Sequence, residues 1–222
     1  MDDATKLTPK TLPQRREFRG LVDLIPRTVH NDAMLPPVYA TRTATKILQK
    51  SLKRLMAIQA TTEENYDRPW RIMRVDDLYC WNVQLHSFVE NSVLAKDMQK
   101  FNIECINLEV RFTGEFPFEP PFIRIVTPRF VQHIHGGGGH ITAGGSICSP
   151  LLTIDINGEG WKPSFTLDTV FLQIFVELSS DPPARVASTS NYTRKEAWAA
   201  FSRVANQHGW SYPKAFTQLF NQ

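Results

Sequence analysis

The sequence predicts an α+β fold in which a four-stranded antiparallel sheet is flanked by an N-terminal helix and by C-terminal helices. Apolar residues recur every three or four positions from Ala40 to Met56, which is typical of an amphipathic helix. Between residues 70 and 126 apolar and polar residues alternate, which indicates strands. The helical period returns after Thr166. Helices that precede and follow such a meander in the sequence predict one domain over residues 35–222, with the helices packed on the sheet.

Residues 1–34 have no sustained period and contain prolines and mixed charges. We expect an N-terminal arm that is partly ordered or flexible. Pro36 and Pro37 suit the start of the first helix. The basic residues that lie mostly off its apolar stripe are Arg42, Lys46, Lys50, Lys53 and Arg54. This basic face is typical either of a solvated helix or of a docking surface for an acidic partner.

Four segments are predicted to form the sheet, with one face buried. They are residues Trp70–Val75, Leu78–Phe88, Phe101–Phe112 and Phe122–Val126. The polar link at residues 89–100 is longer than a hairpin needs and is predicted to be a flexible excursion.

After Pro128 the pattern stops until about Phe165, which predicts a long functional loop. Thr166 is then the expected N-cap of a helix that ends before Asp181. Thr193 and Glu196 predict a capping box for the next helix, which ends at Gly209. A last short helix is predicted at residues 213–220.

Composition excludes several classes of function. Lys and Arg number 25 against 22 Asp and Glu, and the net charge of +3 does not indicate nucleic-acid binding. No apolar run is long enough for a membrane span, and no membrane partner is expected. The three cysteines predict a reducing compartment, which we expect to be the cytoplasm, the nucleus or both. No cofactor is expected.

Cys148 is the candidate nucleophile. It follows a glycine-rich stretch at residues 136–145, whereas Cys80 and Cys105 lie in strand-like patterns typical of buried apolar cysteines. A thiol exchanges with a thioester without a strong base, because the leaving group is also a thiol. This chemistry suits an acyl group carried on sulfur.

Two other sites use the same loop. A hydrolytic cysteine needs a base, and His133, His135 and His140 are available. The same histidines with Cys148 are candidate zinc ligands, although their spacing matches no standard zinc motif. No metal is therefore expected, and a Cys/His hydrolase remains an alternative.

An ordered set of motifs carries a family resemblance. It consists of Phe116-Pro117-Phe118-Glu119-Pro120-Pro121, Gly145-Ser146-Ile147-Cys148, Leu151-Leu152 and Trp161-Lys162-Pro163. This set resembles the catalytic core of ubiquitin-conjugating enzymes. The run Gly-Gly-His-x-Thr-Ala-Gly-Gly at residues 138–145 is similar to that of the Q-type class.

The resemblance implies a UBC-like fold and a specific reaction. Cys148 would accept ubiquitin or a ubiquitin-like modifier from an activating enzyme, hold it as a thioester and pass it to a lysine of a protein substrate. A ubiquitin ligase would bind at Phe118, Pro163 and Ser164. The activating enzyme would bind the basic face of the first helix.

The sequence also departs from the family pattern. Most members carry His-Pro-Asn, with the asparagine eight residues before the cysteine, where this chain has His140. His140 is therefore a candidate oxyanion or loop donor. Thr142 and Ser146 are further candidates for oxyanion or loop support, and Asp181 is a candidate acid after the helix. A catalytically inactive relative that acts as a binding partner remains a second hypothesis.

Overall fold

The structure, a computed structural model, describes residues 36–60, 68–154 and 158–220. The predicted arm at residues 1–34 lies outside them. Helix α1 spans Arg42–Ala60. It begins five residues after Pro37, not at the prolines, because Thr41 supplies the cap: its Oγ1 accepts a hydrogen bond from the Ala44 amide at 3.2 Å.

The sheet contains β1 (Trp70–Asp77), β2 (Cys80–Leu85), β3 (Ile106–Arg111) and β4 (Phe122–Thr127), paired antiparallel in that order. The predicted four-stranded meander is confirmed. Two predicted strands were too long at their ends. Asn102 lies at φ 53°, in the left-handed region that interrupts a strand, so the third strand begins only at Ile106.

The link between β2 and β3 contains a helix, so the predicted flexible excursion was wrong. Helix α2 spans Val93–Lys100, and the Ser92 side chain caps it by accepting from the Ala95 amide at 3.1 Å. Leu94 and Met98, four residues apart, are its buried apolar residues. A helix this short offers too few apolar positions for its period to be recognised.

Both predicted C-terminal helices are confirmed with their caps. Helix α3 spans Leu167–Ser179 and helix α4 spans Arg194–His208. The Thr193–Glu196 capping box is present, and Gly209 ends α4 in the left-handed conformation. Two short strands, β5 (Arg129–Phe130) and β6 (Val186–Ser188), pair with each other, and Lys214–Phe220 forms a 3-10 helix.

The sheet is covered on two faces. Against one face pack α1 and α3, with a core that includes Leu48, Leu55, Trp81, Val83, Leu108, Val110, Val170, Phe171 and Ile174. Against the other pack α4 and the last 3-10 helix, through Phe122, Ala197, Phe201, Ala205, Phe216 and Leu219. The prediction of one buried face is therefore wrong over β3 and β4. Glu109 and Arg124 are buried there as an ion pair. Because charged residues in a strand usually indicate an exposed face, the sequence pattern did not predict this burial.

Three carboxyl groups of this framework are held in their charged form. A hydrogen bond from Arg185 lowers the pKa of Asp97. A hydrogen bond from the Thr193 amide is the main cause that lowers the pKa of Glu196 to about 2. Burial raises the pKa of Glu109, but hydrogen bonds from two arginines outweigh it and leave this pKa lowered.

We therefore expect the protein to lose stability in acid. A carboxyl whose folded pKa is lowered contributes stability that is complete above its unfolded pKa and is lost as the pH falls through the folded value. The urea midpoint should stay nearly constant above about pH 5 and should fall between about 4.5 and 2. Equal midpoints at about pH 5 and pH 3 would contradict this expectation.

Candidate active site

Residues 140–148 form a β-hairpin that carries Cys148 at its end. The Cys148 amide donates to the carbonyl of His140 at 2.7 Å, and the Thr142 amide donates to the carbonyl of Ser146 at 2.9 Å. The eight-residue interval between His140 and Cys148 is therefore the spacing of two residues that face each other across the hairpin. Part of the predicted long loop is thus regular structure.

The hairpin is attached to the edge of the sheet at β4. The Ile125 amide donates to the carbonyl of Gly145 at 2.7 Å, and Arg124 forms an antiparallel bridge with Ser146. Since β4 is also fixed by the core, Cys148 is held at a defined position beside the sheet.

Three of the glycines before the hairpin, Gly137, Gly138 and Gly139, are tightly packed. A Cβ atom at Gly138 would overlap the carbonyl of Pro182, the residue that follows Asp181 after α3. The Gly139 amide donates to the same carbonyl at 2.9 Å. The glycines therefore allow the loop to pack closely against the segment after α3, which holds the loop in an ordered conformation.

The Cys148 side chain is half-buried and lines an open cavity of about 290 Å³. The other residues of the cavity are His133, Gly138, Gly139, His140, Ile141, Pro182 and His208. Burial raises the pKa of the Cys148 thiol, and the charge of Glu177 raises it further. At neutral pH the resting side chain is therefore mainly the neutral thiol. Cys80 is buried in the sheet and Cys105 is half-buried.

His140 occupies an unusual backbone conformation, with φ 55°. Its ring Nδ1 lies 3.3 Å from the carbonyl oxygen of Cys148. Among the described residues, none of the histidine rings makes a hydrogen bond to the sulfur. The structure thus places His140, as predicted, close to Cys148, where its ring lies beside the Cys148 backbone.

Thr142 and Ser146 are buried inside the hairpin and bind one another. Their hydroxyl oxygens lie 2.7 Å apart, and the Ser146 amide donates to Thr142 Oγ1 at 3.1 Å. These contacts hold the hairpin together, so loop support is the role that their geometry favours. Asp181 is exposed and immediately precedes Pro182, which lines the cavity.

Glu177 on α3 binds the residue that follows Cys148, a contact that the sequence did not predict. Its Oε1 accepts hydrogen bonds from Ser149 Oγ at 2.9 Å and from Gln173 Nε2 at 3.1 Å. Ser149 follows Cys148 directly, so this carboxylate, 28 residues after Ser149 in the sequence, is bound to the residue next to the candidate nucleophile. The sequence contained no signal for it, because a single acid on a helix is usually a solvated residue.

The three residues predicted to bind a ligase lie on neighbouring exposed loops. Phe118 is 69% exposed, and Pro163 and Ser164 are also exposed. The two loops are joined where Trp161 Nε1 donates to the carbonyl of Pro117 at 2.7 Å. Trp161 therefore packs in the core, whereas Phe118 is available to a partner.

The basic residues of α1 share one exposed face. Arg42, Lys46, Lys50 and Lys53 are all exposed. Their spacing places them on one side of the helix, opposite the buried Ala44 and Leu48. In the part of the chain that the structure describes, none of the four forms an ion pair.

The described ranges contain no group of three or more His, Cys, Asp or Glu residues placed to hold a metal ion. None of the described helices combines the length and the apolar character of a membrane-crossing helix.

Comparison with known proteins identifies the family. Residues 75–207 match the family described as ubiquitin-conjugating enzyme. The chain is 35% identical over 146 residues to a Q-like ubiquitin-conjugating enzyme protein of Mus musculus, an alignment that covers 62% of this chain and 84% of that protein. It is 30% identical over 209 residues to the Homo sapiens ubiquitin-conjugating enzyme E2 Q1, covering 89% of this chain and 46% of that protein.

A solved structure of the family is also similar to this chain. Human ubiquitin-conjugating enzyme E2 G1 matches with a TM-score of 0.44 and 16% identity, over 62% of this chain and 95% of that chain. The motifs that carry the family resemblance all lie within the region that the family model matches. The chain belongs to the ubiquitin-conjugating enzyme family, and its resemblance to the Q-type class is confirmed.

Proposed function

We propose that Cys148 accepts ubiquitin or a ubiquitin-like modifier as a thioester and passes it to a lysine of a protein substrate. The observation that carries this proposal is the position of the thiol. It is half-buried, lines an open cavity and ends a hairpin fixed to β4. A sulfur in that position is accessible to the extended tail of a modifier, and its surroundings hold it in place during acyl transfer.

The test is to incubate the protein with activating enzyme, ubiquitin and ATP, and to separate the products on a non-reducing gel. We expect an adduct that disappears on treatment with a thiol and is absent from Cys148→Ala. Cys105→Ala is the matched control, because Cys105 is also half-buried but lies outside the cavity. Its adduct should equal that of the wild type.

Other outcomes would support other functions. Absence of the adduct from the wild-type protein, together with binding of ubiquitin or of the activating enzyme, would indicate an inactive relative that acts as a binding partner. Cleavage of a ubiquitin C-terminal ester would indicate a hydrolase. The geometry offers the hydrolase little support, because His140 contacts the carbonyl of Cys148 and not its sulfur.

We expect the basic face of α1 to attract the activating enzyme. Reversing the charge of Lys46, Lys50 and Lys53 to Glu should slow charging at low salt by about tenfold to a hundredfold, because electrostatic attraction raises association rates. The ratio of wild-type to variant rates should shrink as salt is added. The measurement is the initial rate of thioester formation at several salt concentrations; a salt-independent ratio would contradict this docking role.

His140 is expected to act in transfer. His140→Ala should charge normally and should discharge to lysine about a hundredfold more slowly, since loss of a single oxyanion donor costs about that much. His140→Asn retains an N–H donor and tolerates the left-handed backbone, so it should recover most of the rate. Normal discharge of His140→Ala in a single-turnover assay would remove His140 from the mechanism.

The exposed Phe118, with Pro163 and Ser164, is proposed as the ligase surface. The contact between Trp161 and Pro117 joins the two loops and keeps these residues adjacent.

Because the thiol must stay reduced in order to be acylated, we also propose that the protein acts in a reducing compartment, the cytoplasm or the nucleus.

A further inference from the structure

We propose that His133 and His208 bind an acidic side chain beside the acceptor lysine, so that the enzyme favours lysines flanked by a carboxylate or a phosphate. The inference rests on the proposed function and names a preference among its substrates. The observation that carries it is a pair of free imidazole rings at the mouth of the Cys148 cavity.

The Cys148 cavity offers imidazole groups and no carboxylate. Three of its eight lining residues are histidines, and no Asp, Glu, Lys or Arg of the described ranges lines it. Asp181 precedes the lining residue Pro182, and Glu177 binds Ser149, but neither carboxylate belongs to the lining. An anion that enters the cavity therefore meets no acidic group in its wall.

Two of the three histidines are free to bind a ligand. The ring of His140 is occupied, because its Nδ1 lies 3.3 Å from the carbonyl oxygen of Cys148. The side chains of His133 and His208 form neither a hydrogen bond nor an ion pair with any residue that the structure describes. Both residues are exposed and both line the cavity, so they lie at its mouth.

The fold positions both rings. His208 lies in the last turn of α4, and its ring stacks on that of Trp210, with the centroids 4.5 Å apart and 16° between the planes. The negative end of the helix dipole favours a positive charge at this position. His133 begins the 3-10 turn His133–His135, which the Gly136 amide closes by donating to the His133 carbonyl at 3.0 Å.

An acidic side chain has the chemistry that these two rings recognise. Imidazole takes up a proton near neutral pH, and a nearby anion favours the protonated form. Imidazolium donates through both of its N–H groups, and such charged donors form strong hydrogen bonds to carboxylate and phosphate oxygens.

The anion belongs to the acceptor because of where the acceptor must go. A lysine that reaches the sulfur of Cys148 brings its sequence neighbours to the mouth of the cavity, since consecutive Cα atoms are only about 3.8 Å apart. The ammonium of the lysine is repelled by an imidazolium, whereas an acidic neighbour is attracted. The neighbour is therefore the group that His133 and His208 bind.

The main test is single-turnover discharge, at about pH 7, to N-acetylated peptides whose one lysine is flanked on both sides by Glu, phosphoserine or Ala. Wild type should discharge about threefold to tenfold faster to an acidic peptide than to the Ala peptide. In the double variant His133→Gln with His208→Gln this ratio should fall to about one. The ratio cancels any general loss of activity, and the two acidic peptides separate carboxylate from phosphate as the source of the anion.

His135→Gln is the matched control. His135 is exposed on the same turn as His133 but does not line the cavity, so this variant should keep the wild-type ratio. Equal wild-type rates with all three peptides would overturn the inference and leave the proposed function intact. A ratio that falls as far in His135→Gln as in the double variant would also overturn it, because the preference would then belong to the surface charge in general.

A second measurement needs neither ubiquitin nor the activating enzyme. Iodoacetate and iodoacetamide alkylate the same thiol, but only iodoacetate is an anion. In a Cys105→Ala background, the ratio of the iodoacetate rate to the iodoacetamide rate at Cys148 should fall about twofold or more in the double variant and should not change in His135→Gln. A changed thiol pKa affects both reagents equally and cancels in the ratio.

The two measurements separate failure of the inference from failure of the proposed function. An unchanged alkylation ratio in the double variant would overturn the inference whether or not the protein forms a thioester. A wild-type protein that forms no thioester would overturn the proposed function, and with it the preference for acidic acceptors, even if the alkylation ratio falls as expected.

Discussion

Glu109→Ala is expected to destabilise the protein by about 3–5 kcal/mol, because it leaves a buried arginine without its charge partner. Glu109 Oε1 accepts from Arg124 Nε at 3.1 Å, and both side chains are only 6% exposed. Glu109 Oε2 accepts from Arg194 Nη2 at 2.8 Å at the start of α4. The substitution therefore leaves Arg124 buried without its carboxylate partner. It also removes the ion pair between Glu109 and Arg194, the first residue of α4. Urea unfolding and the thermal midpoint would measure the loss.

A double substitution tests the cause. Replacing both members of a buried ion pair by apolar residues of similar volume is often neutral, because neither charge is then left without a partner. Glu109→Met combined with Arg124→Leu should thus regain most of the stability lost in Glu109→Ala. A single variant that loses less than about 1 kcal/mol, or a double variant no better than the single, would contradict the assigned role of the pair.

Gly144→Val is expected to displace the hairpin and to remove most thioester formation. A Cβ at Gly144 would overlap the backbone carbonyl of Glu196 in the first turn of α4 and would lie 2.8 Å from Ala200 Cβ. The main obstacle is backbone, which cannot rotate away, so either α4 or the hairpin must move. Overpacking of this kind costs about 1–3 kcal/mol or more. The displacement is transmitted to Cys148, four residues along the same hairpin.

The effect on charging should exceed the effect on stability. A small misplacement of a reacting group can cost about a hundredfold in rate. The measurements are the initial rate of thioester formation and the unfolding midpoint of the same preparations. Ala143→Ser is the matched control: Ala143 is exposed at the turn next to Gly144, and its replacement should change neither quantity. Wild-type charging by Gly144→Val would show that α4 does not fix the hairpin.

Much of the framework could be predicted from the sequence because its signals are local. Period-two segments indicated the four strands, and Thr166, Thr193 and Gly209 indicated helix ends that the structure confirms. Caps and periodicity depend on residues within a few positions of each other, so they can be recognised without a partner element. The local signal failed for α2, where only two buried apolar residues define the helix.

The family could also be recognised from order along the chain, and the same order indicated the candidate nucleophile. The proline-rich turn, the cysteine and the tryptophan occur in an order that resembles ubiquitin-conjugating enzymes, and residues 75–207 match that family. The interval of eight residues already singled out His140. Why that interval matters appears only in the hairpin, where His140 and Cys148 face each other.

The amino-acid sequence by itself determined the α+β class, the family and Cys148, because these are expressed by residue types in a linear order. The tertiary structure alone decided that Glu109 and Arg124 are buried, that α4 covers the second face of the sheet, and that Glu177 binds Ser149 next to the cysteine. Each of these depends on contact between residues distant in sequence. The chemistry of a charged side chain is set by what surrounds it after folding, and no local pattern encodes those surroundings.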